Sequence, residues 1–97
     1  SGPSDLPDPA THAYRKDLAD IALAGRVIAP HYARPIPVTL SIATALRPEP
    51  KEDSPAIAEI EPGATFELLD DSLGWAWGYA GPKRLVGYIP SEALRPS

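Results

Sequence analysis

Apolar positions follow two different periods along this chain, helical at first and strand-like afterwards. Tyr14, Leu18, Ile21 and Ala22 are spaced as one face of a helix, with Gly25 placed as its C-terminal stop. A short helix is expected there. Ahead of it, Pro3, Pro7 and Pro9 make residues 1 to 13 an extended arm that opens on Ser1-Gly2, which reads as a tag remnant. Beyond it, Val27-Ile28-Ala29 reads as a brief strand, and Pro30, Pro35 and Pro37 hold the chain extended. Residues 14 to 37 thus form a leader. From there Val38, Leu40 and Ile42 set a period of two. Strands are expected at about 38 to 45, 56 to 60, 65 to 70, 74 to 80 and 84 to 90. The separators are a proline-rich charged loop at 47 to 55, Pro62-Gly63, the charged turn Asp70-Asp71-Ser72, and Gly81-Pro82. Five short strands over residues 38 to 95 predict an all-β fold, a small barrel.

The 74 to 80 segment carries the most specific pattern. Alternate residues of a strand share a face, so Trp75, Trp77 and Tyr79 form an aromatic stripe while Ala76, Gly78 and Ala80 face the other way. The small side is expected to lie close against neighbouring backbone. The aromatic side offers a broad apolar surface to a partner, a ligand or another part of the chain, which suits binding rather than catalysis.

Composition changes this picture in two ways. The 13 prolines in 97 residues favour short strands and stiff connections, and a chain of this size supports one modest core. The net charge of -4, with no basic run beyond Arg15-Lys16 and Lys83-Arg84, leaves no electrostatic footprint for nucleic acid or an anionic membrane. No apolar run reaches the ~20 residues of a membrane span, and nothing reads as a signal peptide. The absence of cysteine excludes a disulfide, a thiolate nucleophile and cysteine-ligated metal. It also favours a reducing compartment, so a cytoplasmic location is expected over a periplasmic one.

Candidate chemistry is sparse. His12 and His31 have no companion at metal-ligand spacing and read as ordinary solvated histidines. Asp70-Asp71 could be imagined as a carboxylate pair, but adjacent strand residues point apart and the rest of a calcium loop is missing. Ser41, Ser54, Ser72 and Ser91 lack a nucleophile elbow, and no phosphate-cradling glycine loop occurs. No enzyme activity, metal or cofactor is expected of this chain.

The order of several short segments resembles a Src-homology-3 (SH3) barrel. They are Asp17-Leu18-Ala19-Asp20, Leu23-Ala24-Gly25-Arg26-Val27, Ala45-Leu46-Arg47, Ile60-Glu61-Pro62-Gly63, Gly74-Trp75-Ala76-Trp77-Gly78, and Val86-Gly87-Tyr88-Ile89-Pro90 with Leu94. Their spacing, leader included, is similar to the bacterial SH3 domains that precede NlpC-type cell-wall cysteine peptidases. The resemblance implies an SH3-like barrel with a short helical and extended leader, fused to a C-terminal peptidase that cuts γ-D-glutamyl to diamino-acid bonds in murein peptides. The implied partners are that peptidase domain and a peptidoglycan-derived peptide. The implied role is non-catalytic targeting or substrate positioning in murein peptide recycling. A stand-alone peptide-binding adaptor and a purely structural docking domain are the alternatives.

Ligand or partner candidates are the stripe Trp75, Trp77 and Tyr79, with Trp75 where SH3 domains place a groove tryptophan, and Tyr88 and Pro90 of the Gly-Tyr-Ile-Pro-Ser segment. Trp77 and Tyr79 continue the stripe and are expected to pack on the leader. Polyproline binding is disfavoured, because Ala93 and the 44 to 47 segment lack the tyrosines such a groove needs. The resemblance also implies a Glu and a Tyr that recognise the free amine of the substrate. Their positions are held here by Ala64 and Leu85, neither of which can accept a hydrogen bond from ammonium.

Overall fold

The computed structural model describes residues 6–94, so residues 1 to 5 of the expected arm and residue 95 of the expected barrel lie outside the described residues. The strands are β1 (Ala19–Asp20), β2 (Tyr32–Ala33), β3 (Ile36–Thr39), β4 (Thr44–Leu46), β5 (Ala58–Ile60), β6 (Thr65–Ser72), β7 (Trp75–Ala80) and β8 (Leu85–Pro90). One antiparallel sheet runs β3-β6-β7-β8, and β4 pairs antiparallel with β5. A bridge between Arg47 and Tyr88 fastens the end of β4 to β8, which extends the wall around the main core. The arrangement of β3 to β8 is the all-β, SH3-like one expected. A short parallel pair, β1-β2, belongs to the leader.

The two faces of β7 explain how the wall is packed. Ala76 and Ala80 turn into the main core with Leu40, Leu46, Phe66 and Ile89, whereas Trp77 and Tyr79 turn outward into a second cluster with Ala13 and Leu69. Small residues are needed on the inner side because the chains approach closely. A Cβ on Gly78 would lie 2.0 Å from the Glu67 carbonyl oxygen, and one on Gly87 would lie 2.7 Å from the Leu46 side chain. Glycine is the residue that fits both places.

The leader departs from its periodicity. Instead of a helix over residues 14 to 22, Tyr14 bridges Ala19 across a tight turn in which Arg15 N–H donates to the Leu18 carbonyl at 2.9 Å. Only a single 3-10 turn, Ile21–Leu23, follows. Nine residues are too few to hold a helix without tertiary help, and the tertiary contacts here favour another path. Ala19 pairs with Tyr32 in β1-β2, while the Asp20 side chain accepts from Ala22 N–H at 2.9 Å and from the Tyr79 hydroxyl at 2.6 Å. The expected strand at Val27-Ile28-Ala29 is also replaced. Val27 is a buried plug with Ala19 and Leu23, and the Tyr32 hydroxyl donates to the Val27 carbonyl at 2.6 Å, closing a loop whose tip is the exposed Ile28.

Two further boundaries move. The single strand expected at 38 to 45 is broken into β3 and β4, because the chain turns a corner after Leu40. Leu40 is buried and exchanges backbone hydrogen bonds with Ala64 and Gly63, and Ser41 N–H donates to the Ala93 carbonyl, leaving Ile42 exposed. Asp70, Asp71 and Ser72 are not a turn but the last residues of β6. The two-residue loop Leu73-Gly74 replaces them, with φ of 55° and 84°. Two positive φ values suit the tight hairpin connection, although leucine is an unusual residue at the first.

Candidate functional site

The aromatic stripe divides into a sealed half and an open half. Trp77 and Tyr79 are each 3% exposed, covered by Ala13 of the arm and by Leu18 and Ala33 of the leader. The Tyr79 hydroxyl accepts from Ala13 N–H at 3.0 Å and donates to the Asp20 carboxylate at 2.6 Å. Burial, and then the bond to Asp20, push this hydroxyl up to about 12. Asp20 is itself only 2% exposed, so a buried carboxylate from the leader is held by the barrel.

Arg15 is the second clamp. Its guanidinium lies 4.5 Å from the Trp77 ring centre and donates to Asp17 at 2.7 Å, Asp70 at 2.8 Å and the Tyr88 hydroxyl at 3.3 Å. Burial opposes its charge, but those three bonds outweigh it and hold the guanidinium above its ordinary range. Asp70 reaches Arg15 because β6 carries a bulge between Leu68 and Asp70, which sets Asp70 directly opposite Trp77 and therefore on the leader side of the sheet. Without that extra residue Asp70 would point into the core. On the other flank Arg84 stacks 3.9 Å from the Tyr79 ring centre and pairs with Glu67 at 2.7 Å.

The open half is Trp75, Tyr88 and Pro90. Trp75 lies opposite Pro90 in the β7-β8 register and both are half-buried, and Tyr88 lies opposite Trp77 with ring centres 6.4 Å apart. Two adjoining hollows share Trp75. One, of about 430 Å³, is walled by Glu52, Pro90, Ser91 and Glu92, and the other, of about 270 Å³, by Pro50, Leu73, Tyr88 and the Arg15–Asp70 pair. A third, of about 360 Å³, continues past Tyr88 to Pro48, Ile57 and Pro9. Together they make a groove across one face of the barrel.

Local structure keeps the groove in shape. Ser91 N–H donates to the Gly74 carbonyl at 2.9 Å, tying the 3-10 turn Ser91–Leu94 to the hairpin tip, and the Ser91 hydroxyl bonds Asp71. Opposite, the 47 to 57 loop folds on itself through Lys51 N–H to Glu49 at 2.8 Å, Ile57 N–H to Leu46 at 2.6 Å and the Arg47 guanidinium to Ser54. Glu52 and Glu92 give the Trp75 end two carboxylates and no cation among its lining residues. An aromatic and proline floor with an acidic rim suits a peptide that carries an ammonium group.

Of the sequence candidates, Trp75, Tyr88 and Pro90 line the open hollows, whereas Trp77 and Tyr79 are buried; Arg15, Asp70, Leu73, Glu52 and Glu92 were not among the candidates. A spacing rule could not find them, since the bulge that aims Asp70 leaves no mark in sequence. Ala64 and Leu85 are not brought to the groove. Both are half-buried and pack on the main core, and Leu85 pairs with Ala80, at the opposite end of the β7-β8 hairpin from Trp75. At roughly 3.4 Å per residue that separation is about 17 Å. His12 bonds the Asp8 carbonyl through Nδ1, and no grouping of three or more His, Cys, Asp or Glu able to hold a metal occurs among the described residues.

Neither a curated protein nor a solved structure matches this chain. A family model does, over residues 46–94, from the last residue of β4 through the bulged β6 and the β7-β8 hairpin to the closing 3-10 turn. The matched segment is half of the chain and contains every strand that builds the Trp75 groove, so the chain belongs to the bacterial dipeptidyl-peptidase SH3 domain family.

Proposed function

We propose that this chain is the substrate-positioning domain of a murein-peptide cysteine peptidase of the NlpC type, and that the groove at Trp75, Tyr88 and Pro90 receives the peptide. The peptidase domain and a peptidoglycan-derived peptide are the partners, and the bacterial cytoplasm is the compartment. One observation carries this reading. The groove is the part of the aromatic stripe that the leader leaves open, and it lies wholly on elements of the family match or against them. The acidic rim of Glu52 and Glu92 supports a ligand with an ammonium group, and murein peptides carry one on the diamino acid as well as at the free end. That ammonium would not be held at Ala64 and Leu85, which are apolar and face the core.

The test is an NMR titration of the chain with L-Ala-γ-D-Glu-diaminopimelate. The indole N–H of Trp75 and the amides of Tyr88 and Ser91 should shift in a saturable way, and Trp75→Ala should weaken binding at least tenfold, a difference of about 1.4 kcal/mol. No peptide cleavage should accompany binding. Shifts confined to other surfaces, or none up to about 10 mM, a Kd range worth less than ~3 kcal/mol, would remove the groove from the proposal.

A further inference from the structure

The leader, which lies outside the family match, has a surface of its own. A hollow of about 540 Å³ opens between the arm and the loop after the 3-10 turn, with Tyr14 and the buried Val27 in its wall and Leu6 and Ile28 at its rim. Ile28 is 100% exposed and Leu6 61% exposed. Neither contributes to the core by staying there. Two cations, Lys16 and Arg26, share the rim, are exposed, and form no ion pair among the described residues. Asp17, the nearest carboxylate in sequence, is taken by Arg15. The third cation of the hollow, Arg15, is turned away to Asp70 and Tyr88.

This patch runs against the rest of the molecule. The chain carries 13 acidic and 9 basic residues, and the Trp75 groove is acid-rimmed, yet this hollow has cations and apolar groups with no carboxylate among its lining residues. We infer that it is a docking site for an acidic, leucine-like segment of a partner protein, with apolar side chains set between Leu6 and Ile28 and carboxylates on Lys16 and Arg26. Shape decides between such a segment and a lipid surface. A membrane takes up a protruding apolar edge, whereas a concave hollow takes up an inserted side chain. The net charge of -4 also opposes approach to anionic lipid.

The site is separate from the peptide groove, so it can fail or hold independently of the function proposed above. The probes are acetyl-Glu-Leu-Glu-Leu-amide and acetyl-Gln-Leu-Gln-Leu-amide, titrated against the ¹⁵N-labelled chain at about 50 mM salt, where screening leaves surface charges effective. The Glu peptide should shift the amides of Lys16, Arg26 and Ile28 and bind at least threefold more tightly than the Gln peptide, as expected for two exposed ion pairs. Lys16→Gln with Arg26→Gln should abolish that preference. Ile28→Ser should weaken both peptides, and all three side chains are exposed enough to be changed without unfolding the chain.

Equal binding of the two peptides would overturn the charge assignment, and absence of shifts in the leader would overturn the site. Binding to vesicles of about equal phosphatidylglycerol and phosphatidylcholine, with no response to the Glu peptide, would replace the partner protein by a membrane. An Asp5→Asn variant that binds the Glu peptide more than threefold better than the native chain would show that the chain's own arm fills the hollow, and that result also overturns the proposal.

Discussion

Trp75 and Trp77 stand two residues apart on the same face of β7, and one is half-buried at the edge of a groove while the other is sealed. The strand treats them alike. What separates them is the leader, which covers Trp77 and reaches the hollow beside Trp75 only through the Arg15 side chain. Around Trp77 and Tyr79 the charged groups are paired: Asp20 with Tyr79, Arg15 with Asp70 and Tyr88, and Arg84 with Glu67. Around Trp75 the carboxylates of Glu52 and Glu92 form no ion pair among the described residues. A paired, dry region contributes stability, and an unpaired, wet one is where a ligand can add interactions.

The sharpest way to break this comparison is to truncate each tryptophan. Trp77→Ala removes a buried ring with its stacked guanidinium and should cost about 3 to 5 kcal/mol. Trp75→Ala should cost less than about 1.5 kcal/mol, since much of that ring is already in water. Urea midpoints of the two variants measure the difference. Equal losses would mean that the leader does not seal the stripe in solution.

That division was only partly legible in the sequence. Strands β5 to β8 could be read because each turn carries glycine or proline and because large and small residues alternate in β7, where Gly78 has no space for a side chain. The groove residues Trp75, Tyr88 and Pro90 followed from their place in that hairpin. The leader could not be read. Its helical spacing at Tyr14, Leu18, Ile21 and Ala22 is genuine, but the path is set by Asp20 meeting Tyr79, 59 residues away, and no local pattern reports such a contact. The β6 bulge is equally silent. It moves Asp70 to the leader side, so a pair of aspartates that read as a charged turn is in fact a strand end, with one carboxylate on Arg15 and the other on Ser91.

A subtler change probes how the sealed half is held. Tyr79→Phe keeps the ring but takes the donor from buried Asp20 and the acceptor from Ala13 N–H. The expected loss is about 2 kcal/mol near neutral pH. Its pH dependence has a definite sign. The hydroxyl titrates near 10.0 when free and is pushed up to about 12 in the fold, so the folded state favours the protonated form. The stabilisation is complete below pH ~10 and is lost as pH rises through ~12, which narrows the gap between native chain and variant. Every other group is common to both proteins and cancels in that difference. A gap that stays constant from pH 8 to about 11.5 would show that the Tyr79–Asp20 bond is not formed in solution.

The smallest expected effect belongs to the open half and has the opposite sign. Leu73 sits at φ 55° in the β6-β7 loop, is 98% exposed, and lines the hollow beside Trp75. A left-handed conformation costs a leucine roughly 1 kcal/mol, and no burial offsets that here. Leu73→Asn makes the loop an Asn-Gly pair, the sequence best suited to two positive φ values, so it should raise stability by about 0.5 to 1 kcal/mol. The same change removes an apolar wall from the groove and should weaken the tripeptide in the titration described above. A higher urea midpoint together with weaker binding would show that this end of the stripe is shaped for a ligand at the expense of the fold. A lower midpoint would place Leu73 among the residues that hold the barrel, and the contrast between the two halves would then have to be drawn elsewhere.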